Sequence, residues 1–149
     1  MIFEGVRMVE APLEATWHVI AEPARFLGSL AVVTDVRSTP SGHIAAQCVL
    51  PLGFGDLHLD ATVRLIIDTN ADYSARYVGT ARGDGVHVSF DNSVQVAAGS
   101  QSGATILRWN AAIIIRGPIV GMVQHVAPIL VGRQVDAAYE TLVAHLDSE

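Results

Sequence analysis

The chain has 149 residues, of which 50% are hydrophobic and 16% charged, and a formal net charge of −6. Its nine basic residues are all arginines spread singly along the sequence, which excludes the clustered positive charge that nucleic-acid binding or docking on anionic lipid requires. A chain of this length makes one domain of ordinary size, so we predict a single domain over residues 1–149.

The N-terminal region predicts one strand followed by two short helices. Residues Phe3–Glu10 alternate as a strand does, but both faces are mixed, so the side to which Arg7 points stays open. Pro12 suits the first turn of a helix, on which Trp17 faces the apolar side. The pair Glu22-Pro23 ends this helix and begins a second short one.

The middle of the chain predicts a long antiparallel meander. From Val32 to Arg116 apolar residues recur at every second position, and turn residues divide the segment into about six strands. The glycines of Gly83-Asp84-Gly85 could suggest a phosphate loop, but a strand follows them instead of a helix, so a hairpin turn is predicted. The six strands are residues 32–38, 43–50, 57–67, 73–80, 86–96 and 107–116.

The last predicted element is a long helix from Pro118 to Leu146. Its apolar residues recur every three or four positions, and at 1.5 Å per residue it spans roughly 43 Å. Pro128 removes one main-chain hydrogen bond, so we expect a kink there or a short break into two helices. The apolar face comprises Ile119, Met122, Val123, Val126, Leu130, Val131, Gln134, Val135, Ala138, Leu142 and Leu146.

This order of elements predicts an α+β fold. An antiparallel sheet with one apolar face must be covered, and only the C-terminal helix is long enough to cover it. We therefore predict a curved antiparallel sheet of about seven strands around that helix, with two short helices after strand one. Small residues at presumed inward positions leave space, so we also expect an apolar ligand cavity. These residues are Ala46, Ala61, Ala75, Gly79 and Ala111.

Several stretches carry a resemblance to a known family. Residues 10–17 (EAPLEATW) are similar to the strand-to-helix entry of that family, residues 103–117 to its ending, and Val131-Gly132-Arg133 with Leu142 to its helix signature. On these residues the chain resembles the START-like, or SRPBCC, superfamily with its helix-grip fold. Within it, the chain is closest to the CoxG family of carbon monoxide dehydrogenase subunits. The family's Pro-Gly-Cys element is replaced here by Leu30-Ala31-Val32-Val33.

The resemblance implies a function and a partner. It implies a carrier or recruitment protein that holds a hydrophobic small molecule, quinone-like or lipid-like, and serves a carbon monoxide dehydrogenase or molybdenum hydroxylase complex. Some members carry a long tail thought to reach the membrane; because this chain stops three residues past Leu146, we expect no membrane contact through such a tail. The superfamily also contains polyketide cyclases, hydratases and lipid-transfer domains. A cyclase-type enzyme and an assembly partner without ligand are therefore the alternatives.

The candidate ligand contacts combine apolar side chains with a few polar tips. A buried phenol, amide or indole N–H needs a hydrogen-bond partner, and an enclosed ligand can supply it. Each of these residues is equally consistent with an ordinary core. The candidates are Tyr73, Tyr77, Asn92, Trp109 and Ala111 from the sheet, and Met122, Val126, Leu130 and Gln134 from the helix.

Other reactive side chains predict no chemistry. His58 with Asp60, and His87 with Asp91, share strand faces and could bind metal or exchange protons, but alternation places both pairs on the solvent face. Cys48 lies in an apolar alternating run typical of a packed core thiol. We therefore expect no catalytic residue, no metal and no cofactor.

Three functional classes differ in what they need. An enzyme needs an inward acid or base, for which Arg7 is the strong candidate, and an assembly partner needs an exposed apolar patch. A carrier needs only a cavity. No apolar run approaches the roughly eighteen residues of a membrane span, and no signal-like segment is present, so we expect a cytoplasmic protein.

Overall fold

The computed structural model describes residues 1–52, 55–68, 73–101 and 103–147 of the chain. A strand, two short helices, six strands and a long helix follow one another, in the predicted order. The elements are β1 (Ile2–Val9), α1 (Leu13–Ile20), α2 (Pro23–Gly28), β2 (Val33–Ser38), β3 (Ile44–Pro51), β4 (Asp56–Asp68), β5 (Tyr73–Gly83), β6 (Val86–Ala98), β7 (Thr105–Arg116) and α3 (Val120–Asp147).

All seven strands belong to one antiparallel sheet with the order β1-β7-β6-β5-β4-β3-β2. Neighbours in space are neighbours in sequence except for β1, which pairs with β7 at one edge. Strand β4 shows why the sequence folds this way, because its apolar residues from Leu57 to Val63 are buried and the polar residues between them are exposed. The predicted α+β architecture of about seven strands is confirmed.

Glycines shape the sheet at two places. Asp84 and Gly85 join β5 to β6 with positive φ angles of 49° and 79°, which is the two-residue hairpin that the sequence predicts. Gly79 serves another purpose than the one predicted, because a Cβ there would overlap the backbone oxygen of Thr62. Its missing side chain therefore permits close approach of β4 and β5 and opens no space in the interior.

The two short helices are fixed to the inner face of the sheet. Trp17 and Ile20 of α1 are buried, and Phe26 of α2 stacks on Tyr77 of β5 with ring centroids 4.6 Å apart. The hydroxyl of Tyr77 donates a 2.6 Å hydrogen bond to the main-chain oxygen of Ile20. These contacts place α1 and α2 above strands β5 and β6, beside the path of α3.

Helix α3 runs through Pro128 without a break, so the predicted split into two helices is wrong. Its first half seals the core through Val123, Ala127 and Leu130, all buried. Its second half packs on β1 and α1 through Leu142, which is buried with Val9 and Val19. Among the described residues, no helix is long and apolar enough to cross a membrane.

Candidate ligand cavity

A cavity of about 180 Å³ lies between the sheet, the two short helices and the C-terminal half of α3. Its wall is mostly apolar. An apolar cavity of about 150 Å³ can stay dry and hold one benzene-sized molecule, so this cavity has room for a single ring or a short acyl segment. Its lining includes Asn92, Val94, Leu107, Trp109, Ala111 and Ile113 of the sheet, Val19, Ile20, Phe26 and Leu30 near α1 and α2, and Val131, Gln134, Val135, Ala138, Tyr139 and Leu142 of α3.

Strand β7 supplies much of the sheet wall. Leu107, Trp109 and Ala111 are successive inward positions on β7, so neighbouring side chains are about 7 Å apart. Trp109 pairs with Gly5 of β1, and a Cβ on Gly5 would lie 2.7 Å from the indole. The glycine therefore leaves room for the indole, while the small side chain of Ala111 leaves space beside it.

Two polar side chains at the cavity or beside it already have protein partners. The Oε1 of Gln134 accepts a hydrogen bond from the main-chain N–H of Val32, and its Nε2 donates to the oxygen of Leu130, both at 3.0 Å. The hydroxyl of Tyr77 is bound to Ile20, and burial, helped by the charge of Glu22, raises the pKa of this phenol. Neither group needs a ligand to satisfy it.

Asn92 is different. Its Oδ1 is buried and has no hydrogen-bond partner in the part of the chain that the structure describes. The side chain points inward from β6 between Tyr77 and Ala111, and the hydroxyl of Tyr77 is already donated elsewhere. An unpaired buried amide oxygen costs about 1–3 kcal/mol, which a ligand that donates a hydrogen bond to Asn92 would recover.

The structure resolves the facing of Arg7. Phe3, Gly5, Arg7 and Val9 face inward on β1, and the alternate residues are exposed. Arg7 lines the cavity, and its Nη2 lies 2.5 Å from Oδ1 of Asp136 on α3. A basic side chain thus stands at the end of the cavity between β1 and α3.

The structure brings together some of the predicted ligand contacts and not others. Asn92, Trp109, Ala111 and Gln134 line the cavity, whereas Tyr73, Tyr77, Met122, Val126 and Leu130 are not part of its wall. The prediction that Met122 faces inward is wrong, since its exposed fraction is 48%. The hydroxyl of Tyr73 donates to Glu14 at the surface, and this neighbouring carboxylate raises the pKa of the phenol.

Sequence reasoning missed much of the helical side of the cavity. Val131, Val135, Ala138 and Leu142 belong to the predicted apolar face of α3, so the spacing identified them without marking them as cavity residues. Phe26 carried no such signal, because a short helix gives too few turns for a period to be read.

The polar pairs on the outer face behave largely as predicted. His58 and Asp60 are exposed, while His87 and Asp91 are half-buried and Asp91 forms an ion pair with Arg76. The prediction that both pairs are fully solvated is therefore wrong for His87 and Asp91. No cluster of three metal-ligating side chains occurs among the described residues.

Two further features bear on chemistry. Cys48 is half-buried, and burial, followed by the charge of Asp60, raises the pKa of its thiol, which makes it a poor nucleophile. A second depression of about 580 Å³ lies on the outer face of the sheet edge, where Glu4, Gln95 and Arg108 line it. Its wall is polar and open, and it suits an apolar ligand less than the inner cavity does.

The chain matches a known family and known folds. The family of carbon monoxide dehydrogenase subunits described as CoxG matches residues 5–146. No curated protein matches the sequence.

Three solved structures illustrate the likeness of fold. A conserved protein from Geobacillus kaustophilus has a TM-score of 0.85 at 9% identity, covering 99% of this chain and 96% of that chain. A START superfamily protein from Mycobacterium smegmatis has a TM-score of 0.64 at 10% identity, covering 99% and 97%. The Zhui aromatase/cyclase from Streptomyces sp. R1128 has a TM-score of 0.71 at 12% identity, covering 99% and 93%. Identities this low show the fold alone, which is the predicted START-like helix-grip fold.

Proposed function

We propose, from the premise that the chain belongs to the CoxG family of carbon monoxide dehydrogenase subunits, that it is a carrier of a hydrophobic small molecule. The ligand is quinone-like or lipid-like and sits in the cavity between the sheet and α3. The protein is not an enzyme in this proposal. It delivers or holds the ligand for a carbon monoxide dehydrogenase or another molybdenum hydroxylase, which is its protein partner.

The observation that carries the proposal is the combination of an apolar wall with one unpaired amide. Ligand sites are typically apolar clefts with a few convergent polar groups that fix the orientation of the ligand. Asn92 provides such a group, since its buried Oδ1 has no partner among the described residues. A core residue of no function would more often be apolar or hydrogen-bonded at this position.

The size of the cavity limits how a ligand binds. At about 180 Å³ it holds a ring or a short acyl segment, and any longer tail must leave through the cavity mouth. Thr141 of α3 lines the cavity and is exposed, so the mouth lies beside this part of α3. A ligand with its ring inside and its tail outside suits transfer to a second protein.

Fluorescence of Trp109 tests this proposal. Trp17 is buried against Tyr73, 5.3 Å between ring centroids, and does not line the cavity, so Trp17→Phe leaves Trp109 as the single indole. Titration with short-chain menaquinone and fatty-acyl analogues should quench Trp109, and mass spectrometry of extracts from the purified protein should reveal a bound small molecule.

A blocking variant and a matched control make the test decisive. Ala138→Leu fills the cavity from α3 and should abolish quenching, whereas Ala144→Leu adds the same volume at an exposed position of the same helix and should not. If no analogue quenches, nothing co-purifies and Ala138→Leu lowers stability by the roughly 1–3 kcal/mol of an overpacked core, the interior is filled and the carrier function is wrong.

The link to the partner complex needs its own test. Co-expression with a molybdenum hydroxylase encoded by a neighbouring gene should yield a complex that purifies together. The absence of such a gene, or of a complex, would leave the protein a ligand carrier for another system.

A further inference from the structure

We propose that the cavity binds an acid, and that Arg7 is the residue that recognises its carboxylate. This proposal rests on the carrier function and narrows its ligand class. Of the two classes named above, it selects lipid-like acids, with an apolar ring or short chain, over neutral quinones. The basis is the position of Arg7 and the state of its hydrogen-bond donors.

Arg7 is a charged residue in an apolar setting. It faces inward on β1 together with Phe3, Gly5 and Val9, and its strand partner on β7 is the apolar Leu107. A charged side chain against an apolar wall is rare unless it has a partner of opposite charge. Its side chain is 38% exposed, so the guanidinium stands where the cavity meets solvent.

The guanidinium is held in place but has donors to spare. One Nη2 donates to Asp136, and Cζ lies 5.2 Å from the centre of the Tyr139 ring. The hydroxyl of Tyr139 donates a 2.9 Å hydrogen bond to the oxygen of Met8, which fixes that ring. Arginine has five N–H donors, and only one of those on Arg7 has an acceptor within the described chain.

Asp136 is an exchangeable partner. Its side chain is 60% exposed on α3, so a carboxylate entering from the mouth can share or replace its bond to Arg7. Carboxylates suit this role because they pair with the planar guanidinium through two parallel hydrogen bonds. In a chain of net charge −6, an acidic ligand needs such a local positive group.

The second polar group of the cavity lies at a suitable distance. Arg7 is level with Leu107 in the sheet, and Asn92 is level with Ala111, four residues further along β7. At 3.3–3.4 Å per residue these levels are about 13 Å apart, with Trp109 between them. An acid bound at Arg7 would therefore lay its apolar part along Trp109 toward Asn92.

Isothermal titration with para-ethylbenzoate and para-ethylbenzamide tests the proposal. The two compounds have nearly the same shape and differ in charge. The wild-type protein should bind the acid about five- to tenfold more tightly than the amide, because a charge-assisted pair at a partly exposed site is involved. Arg7→Gln should remove this preference, and Arg7→Lys should keep part of it.

Asp136→Asn provides an independent arm. It removes the competing carboxylate and should strengthen acid binding several-fold while leaving amide binding unchanged. If the acid and the amide bind wild type equally, or if Arg7→Gln keeps the preference, Arg7 does not recognise the ligand, although binding of the amide would still support a carrier. If neither compound binds, both the acid specificity and the cavity function fail. Amide binding by Arg7→Gln shows that the variant is folded.

Discussion

The indole of Trp109 occupies the space that a side chain at Gly5 would need. A Cβ built on Gly5 would lie 2.7 Å from Cε2 and Nε1 of the indole, closer than real contacts allow. The two residues are directly paired on β1 and β7, and both contribute to the inner face of the sheet. The position of Trp109 in the cavity wall therefore depends on a glycine in the neighbouring strand.

Gly5→Ala should displace the indole of Trp109. Because the indole must shift within a packed interior, the free energy of unfolding should fall by about 1–3 kcal/mol. In a Trp17→Phe background, the emission maximum of Trp109 should also shift. Chemical denaturation and fluorescence spectra measure both effects.

Gly121→Ala is the matched control for that substitution. Gly121 is an exposed residue of α3, and a Cβ added to it would meet no atom within 4 Å. Alanine is the better helix former, so this variant should raise the free energy of unfolding by about 0.5–1 kcal/mol. Equal effects of the two substitutions would show that Trp109 does not lie against Gly5.

Tyr77→Phe should lower stability through the loss of one hydrogen bond. The hydroxyl of Tyr77 is the donor in a 2.6 Å bond to Ile20, and the residue is 1% exposed. Removing it leaves the buried carbonyl of Ile20 without this donor, so the free energy of unfolding should fall by about 1–2 kcal/mol. Denaturant titration at neutral pH measures the change, and a neutral substitution would contradict the contact.

The same residue gives the protein an alkaline limit. Burial raises the pKa of the Tyr77 phenol above the ordinary value of about 10, so the unfolded chain loses this proton at lower pH than the folded one. Above about pH 10 the unfolded state binds fewer protons, and the free energy of unfolding should fall by up to about 1.4 kcal/mol per pH unit. Tyr77→Phe should lose this part of the slope. An unchanged slope in the variant would mean that the phenol titrates normally.

The fold was predictable where one face of an element is buried and the other is wet. Strand β4 alternates strictly between Leu57 and Val63, so its inner face could be read from the sequence. Strand β1 could not be read this way, because Val6 and Met8 are exposed although apolar, and Arg7 faces inward. Pairing with β7, which the sequence does not reveal, decides the facing of β1.

The site was less predictable than the fold for a similar reason. Periodicity identifies a face of α3 but does not say which part of it borders a cavity, so Leu130 and Gln134 were treated alike. Met122 lies one position from the buried Val123 and falls on the exposed side. The bond from Tyr77 to Ile20 joins residues far apart in the chain and leaves no local signal.

Removing His58 and Asp60 together by alanine should change neither stability nor ligand binding. Both side chains are exposed on the outer face of β4, and the cavity lies on the inner face. Exposed substitutions of this kind usually change the free energy of unfolding by less than about 0.5 kcal/mol. Denaturation and Trp109 quenching check the two parts, and loss of binding at retained stability would place a functional site on the outer face.

Asn92→Leu should separate stability from function. The buried Oδ1 of Asn92 has no partner in the described chain, so replacing the amide with an apolar group of similar size removes a destabilising feature. The free energy of unfolding should rise by about 1 kcal/mol, while ligands that bond to the amide should lose about tenfold in affinity. A residue that is kept at a cost to stability is expected where binding requires it.

Gln95→Leu controls for adding an apolar side chain to the same strand. Gln95 is exposed on the outer face of β6, three residues from Asn92, and it does not line the inner cavity. It should change neither the affinity nor the free energy of unfolding by more than about 0.5 kcal/mol. Both quantities follow from denaturation and from quenching of Trp109 in the Trp17→Phe background. If Asn92→Leu lowers stability and binds ligand as the wild type does, the amide is structural and the cavity orients its ligand by other groups.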